Sequence, residues 1–163
     1  MHIVNIHQCR LEAGLSQAGG LIDALASAED CFWPGERWPL MRFDRPLGVG
    51  ATGGHGPIGY TVEAYQPGLL ARFRFTRPSG FNGHHWLEVQ SDGQQGSILL
   101  HTIDMQASVK NWFYWWFIIR PLHDALLEDA LCNARRAMGM PEKRRPWSLW
   151  VRFLRQVQRV PET

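Results

Sequence analysis

His85, His101 and His123 are the residues of this sequence best placed to do chemistry. His85 and His101 occupy inward-facing positions of two consecutive alternating segments, Phe81 to Gln90 and Ser97 to Met105. A turn centred near Gly93 sets them nearly opposite each other, with Cβ atoms about 5 Å apart. His123 lies on the apolar side of the helical segment that follows and that must cover this sheet. Three imidazoles facing one apolar interior could orient a ligand or move a proton near neutral pH. They could also make a three-histidine metal set of the catalytic zinc kind. Alternatively, each is a neutral, hydrogen-bonded core residue, because buried polar groups need partners whatever their role. Glu63, Glu88 and Asp104 all have outward parity, so no inward carboxylate completes a metal site or a general base; no metal and no other cofactor is expected.

Tyr60, also of inward parity, offers a phenol that could donate to a ligand carbonyl or simply fill core volume. Arg120 flanks the apolar helix stripe where it could pair with an anionic head group, or it is a solvated edge residue. Asp124 and Glu128 stand one helical turn apart on the polar face and read as solvated surface. The run GVGATGGHGPIG lacks a Lys-Ser/Thr ending and leads into a strand, so its amides would not converge on a phosphate at a helix N-terminus. It reads instead as a rim of the pocket entrance, with His55 near the opening. No GxSxG elbow is present, and Cys9, if inward, behaves as a small hydrophobe.

These side chains need a scaffold, and the alternation of residue types supplies one. His2 to Leu11 reads as a first strand with Ile3, His7 and Cys9 on one parity. Leu15 to Ala26 reads as a helix that Ser16 could cap, weakened by Gly19 and Gly20. Cys31 to Pro46 is a short helix or an ordered loop, and the six glycines between residues 46 and 59 demand sharp bends. Four strands separated by turn signals follow at Ile58–Tyr65, Leu69–Thr76, Phe81–Gln90 and Ser97–Met105, an antiparallel meander. Its inward residues are Ile58, Tyr60, Val62 and Ala64, then Ala71, Phe73 and Phe75, then Phe81, His85, Leu87 and Val89, then Leu99, His101, Ile103 and Met105. From Trp112 to Met138 the period becomes helical, with Pro121 kinking the helix or marking its true start and Gly139 and Pro141 ending it. A last stripe of Trp150, Phe153, Leu154 and Val157 lies opposite Arg152, Arg155 and Arg159.

The chain has 163 residues, the size of one domain with room for a core and an internal pocket. Its 45% apolar and 20% charged content excludes general disorder. Seventeen basic and fifteen acidic residues are too balanced for nucleic-acid binding by bulk electrostatics. The cations are concentrated at the end: residues 140–163 carry a local +4 and residues 1–139 carry −2. Three unevenly spaced cysteines make no disulfide framework, which points to a reducing, cytoplasmic setting, and the N-terminus shows no signal-peptide pattern. The run WFYWWFII places Phe113 and Phe117 away from the apolar stripe. The tail's Trp147, Trp150 and Phe153, a second subunit, or a membrane surface could cover them.

The strand opening HIVNIHQ, the hairpin GPIGYTVEAYQPG–LLARFRFTR, the strand LLHTIDM and the closing helix RPLHDALLEDALCNARRAM together resemble the START-like or SRPBCC superfamily, over roughly residues 1–138. That resemblance implies an α+β helix-grip fold, a curved antiparallel sheet wrapped around a long C-terminal helix. It divides the chain into a domain at 1–139 and a basic, Trp-containing extension at 140–163. It also implies an apolar cavity that binds a hydrophobic or aromatic small molecule but carries over no site residue; the candidate ligand contacts, Tyr60, His85, His101, Arg120 and His123, come from strand parity and the helix stripe. Two alternatives stand beside it. One is an enzyme of the polyketide cyclase or dehydratase type using a cavity histidine as acid or base. The other is an interaction module whose extension touches a membrane or a protein partner. Further partners are a homodimer copy and a peripheral membrane contact; nucleic acid is not among them.

Overall fold

The computed structural model describes residues 1–93, 96–142 and 144–158. Seven antiparallel strands form one curved sheet: β1 (His2–Leu11), β2 (Arg42–Phe43), β3 (Thr52–His55), β4 (Ile58–Gln66), β5 (Leu70–Arg77), β6 (Phe81–Ser91) and β7 (Ser97–Ala107), in spatial order β1-β7-β6-β5-β4-β3-β2. The helices are α1 (Leu15–Asp23), α2 (Val109–Tyr114), α3 (Arg120–Ala137) and α4 (Leu149–Gln158), with a wide π turn at Trp115–Ile119 joining α2 to α3. This is the helix-grip arrangement expected from the sequence, with the long C-terminal helix held against the sheet. No helix among the described residues is long and apolar enough to cross a membrane.

The parity of the meander survives, with three corrections. The β6–β7 hairpin closes on Ser91 opposite Ser97, so its centre lies one residue later than Gly93. Because antiparallel partners move two positions for each step of the centre, His85 faces Ile103 and His101 faces Leu87. The second correction is a bulge between Val62 and Ala64. It turns Ala64 toward Arg72 and puts Tyr65 opposite the buried Ala71, against the core. The third is that the glycine-rich run contains β3, paired with β4 from Thr52 opposite Thr61 to His55 opposite Ile58; its glycines hide any strand propensity.

α1 stops at Asp23, and its N-cap is Gly14, not Ser16, with no side-chain cap bond. Gly19 is required there: a Cβ would stand 2.0 Å from the Gly68 carbonyl oxygen, so its absence lets α1 rest on the β4–β5 turn. Asp23 then accepts from the Gly68 amide and the Tyr65 hydroxyl, each at 2.8 Å. Pro121 falls in the first turn of α3, where its missing donor is harmless, and the π turn immediately precedes it. α3 ends at Gly139 in the left-handed conformation, φ +69°.

The tail stripe faces differently from its sequence reading. Val151 and Leu154 are its buried residues, packed with Trp38, Leu122, Leu126 and Leu127, while Trp150, Phe153 and Val157 face outward. Arg155 lies 4.7 Å over the Trp38 ring and donates to the Arg37 carbonyl; Arg159 lies outside the described residues. The tail is tied down through Asp129, 3% exposed, which accepts from the Trp38 and Trp147 indoles at 2.8 and 3.1 Å and from Arg37 at 2.6 Å. A buried carboxylate is tolerable only when paired and hydrogen-bonded, and three donors satisfy it.

Candidate functional site

A cavity of about 110 Å³ lies between the sheet and α3. At roughly 10–15 Å³ for one water, several waters or a small ring compound fit. Phe73, Phe75, Leu87 and Ile103 form its sheet wall and Leu122 and Leu126 its helix wall. Four imidazoles interrupt this apolar lining: His55, His85, His101 and His123.

His85 sits in an aromatic box. Its ring stacks on Phe73 and Phe75 at 4.8 and 4.9 Å between centroids and meets the edge of Tyr60 at 4.8 Å. Its Nδ1 lies 3.4 Å from Nε2 of His101, and the His101 ring lies 5.0 Å from that of His123. Two of the cavity's ring nitrogens, Nε2 of His85 and Nδ1 of His101, are enclosed without a hydrogen-bond partner among the described residues, while Nδ1 of His123 faces the Asp124 carboxylate. Burial holds His85 and His101 well below the ordinary imidazole range, reinforced by the neighbouring imidazoles. Burial also lowers His123, though the adjacent Asp124 pulls it back up. Desolvation pushes the half-buried His55 down to about 3, with His123 adding to the shift. At neutral pH these are neutral rings, each with one donor and one acceptor nitrogen.

The other two sequence candidates stand off the cavity. Tyr60 is fully buried behind the wall; its hydroxyl meets Nδ1 of His55 at 3.2 Å, and burial raises its pKa well above the phenol range. Arg120 does not line the cavity. Its guanidinium lies 4.2 Å over the Trp116 ring and pairs with Asp124 at 3.4 Å. The structure therefore brings His85, His101 and His123 together and leaves Tyr60 and Arg120 outside that group.

Asp124 is not solvated surface. It is half-buried, and its Oδ1 accepts from Asn5 at 3.1 Å and meets Nε2 of His7 at 3.0 Å and Nδ1 of His123 at 3.7 Å. Burial works against its ionisation, but the hydrogen bonds with His123 and His7 win and hold it well below the carboxylate range. The helix thus supplies a half-buried carboxylate beside His123, although Asp124 does not itself line the cavity. Among the described residues, the donor atoms that come within 4.8 Å of one another, close enough to share a metal ion, belong to His7, His123 and Asp124, and not to the histidine trio weighed from the sequence. The sequence signals were the inward parity of His7 and the position of Asp124 next to His123.

No family model matches this sequence, and no curated protein is significantly similar to it. Its shape does have counterparts among solved structures. CalU16 from Micromonospora echinospora is 14% identical with a TM-score of 0.59, over 95% of this chain and 83% of that one. Norcoclaurine synthase from Thalictrum flavum, solved as a point mutant with a transition-state analogue, is 12% identical with a TM-score of 0.64, over 85% of this chain and 94% of that one. A protein from Thermobifida fusca gives 14% and 0.64, over 87% and 97%. At such identities the likeness is one of fold.

Proposed function

We propose that this chain, whose helix-grip fold is that of the START-like superfamily, binds an apolar or aromatic small molecule between sheet and α3. The observation that carries the proposal is the pair of unpartnered imidazole nitrogens, Nε2 of His85 and Nδ1 of His101, in an otherwise apolar cavity. A buried polar atom left unsatisfied costs about 1–3 kcal/mol, and a ligand with one or two polar atoms on a greasy frame removes that cost. Norcoclaurine synthase, of like fold, has been solved with dopamine and hydroxybenzaldehyde, which supports a ligand of ring size. The test is native mass spectrometry of the freshly purified chain and of Ile118→Trp, which fills the edge of the cavity. A small apolar mass on the wild type that is reduced in the variant is expected; an equal load on both would overturn the proposal.

One observation favours acid–base turnover of such a ligand as a second function. His123 lines the cavity and adjoins Asp124, the relation of a base to its orienting carboxylate. In that case Asp124→Asn retains the co-purified molecule but abolishes its conversion.

A further inference from the structure

Among the described residues, six Phe, Tyr and Trp side chains are exposed, and all six lie on two neighbouring helical segments: Phe113, Tyr114, Trp116 and Phe117 on α2 and the π turn, Trp150 and Phe153 on α4. Their exposures run from 42% for Tyr114 and Trp116 to 61% for Phe117, where a core aromatic such as Phe73 is at 0%. The two groups form one surface. The Trp150 indole donates to the Phe117 carbonyl at 2.8 Å, the Trp150 and Phe153 rings stack at 5.5 Å, and Trp112 bridges Phe113 and Trp116 at 5.1 and 5.8 Å. The tail displays its rings from a packed helix, because Val151 and Leu154 anchor α4 to α3. Soluble chains seldom collect exposed aromatics in one place without a use for them.

The charge on these segments decides the occupant. From Val109 to His123 and from Arg144 to Gln158 there is no acidic residue. Lys110, Arg145 and Arg152 are exposed, and Arg120 covers the Trp116 ring. A second copy docked through the same face would oppose cations to cations. An anionic bilayer complements them, and it takes Trp, Tyr and Phe at the level of its head groups. We propose that this surface docks the protein peripherally on anionic membranes, through Phe117, Trp116, Trp150 and Phe153, with Lys110 and Arg152 against lipid phosphates. Tyr114 belongs both to the patch and to the cavity lining, so a docked chain presents the edge of its cavity to the lipid. The docking itself stands on the patch and does not depend on what the cavity holds.

The experiment is co-sedimentation of the full chain with vesicles of phosphatidylcholine alone and of phosphatidylcholine with phosphatidylglycerol. The chain is expected to sediment with the anionic vesicles, less with the neutral ones, and less as salt rises. Lys110→Ala and Arg152→Ala each weaken binding about fivefold. The double variant Phe117→Glu/Phe153→Glu loses it while keeping the wild-type melting curve, since both side chains are exposed. Failure of the wild type to bind anionic vesicles, or undiminished binding by the double variant, would overturn the proposal. So would a concentration-dependent dimer in analytical ultracentrifugation that the double variant abolishes, because the face would then belong to a second copy.

Discussion

Nε2 of His101 lies 3.4 Å from Nδ1 of His85, and among the described residues no carboxylate pairs with either ring to stabilise its charge. With His55, whose pKa is about 3, these imidazoles refuse protons that the unfolded chain would accept. Their native values are lowered, so the stability they contribute is present above the unfolded value of about 6.5 and is lost as pH falls below it. Each adds a slope of up to about 1.4 kcal/mol per pH unit. The depressed Asp124 acts only below the ordinary aspartate value of about 4, so the window between belongs to the histidines. Urea midpoints should be level above pH 7 and fall steeply from pH 6.5 to 4.5, less steeply in His101→Leu. A flat profile would mean that these rings are open to water.

The strands were legible because alternation and turn residues survive tertiary packing, and β4 to β7 start and stop within two residues of their expected ends. Register was less so: a one-residue error in the β6–β7 turn moved His101 from beside His85 to a diagonal position, and the bulge at Ala64 has no sequence mark. Asp124 and Asp129 were hidden for a different reason. A helical wheel assumes one covered face, whereas α3 is covered by the sheet, by β1 along its flank and by the tail, so residues on its apparent polar side find partners as far as 91 to 119 positions away. Such contacts leave no local pattern to read.

Asp129 gathers Arg37, Trp38 and Trp147 from two segments that precede and follow α3 in the chain and pack against each other. Asp129→Ala leaves a buried indole donor on Trp38, a half-buried one on Trp147 and a half-buried guanidinium without their acceptor, which should cost about 3–5 kcal/mol. The variant is expected to melt well below the wild type, with a red shift of tryptophan emission before global unfolding as Trp38 and Trp147 loosen. An unshifted melt would show that the tail is held by its apolar contacts with Leu122, Leu126 and Leu127 alone.

Pro121 has no N–H to give the Phe117 carbonyl four residues behind it, and the Trp150 indole bonds that oxygen instead. Trp150→Phe keeps the ring and removes the donor, a loss of about 1 kcal/mol. In a Pro121→Ala background the restored amide can compete for the same oxygen, so the Trp150→Phe loss should shrink. A double-mutant cycle in chemical denaturation measures this coupling, and strict additivity would separate the two residues.

Gly19 and Gly20 are adjacent in α1 and give opposite expectations. A methyl on Gly19 meets backbone, the Gly68 oxygen at 2.0 Å, and nothing flexible can move aside, so α1 must lift from the β4–β5 turn and strain its Asp23 bonds to Tyr65 and Gly68. Overpacking of this kind costs roughly 1–3 kcal/mol. A methyl on Gly20 meets nothing within 4 Å and points to solvent, where alanine gains up to about 1 kcal/mol of helix propensity. Thermal melting of Gly19→Ala and Gly20→Ala should therefore move in opposite directions. Equal shifts would mean that α1 is not seated on that turn, and the packing that encloses the sheet end of the core would have to be redrawn.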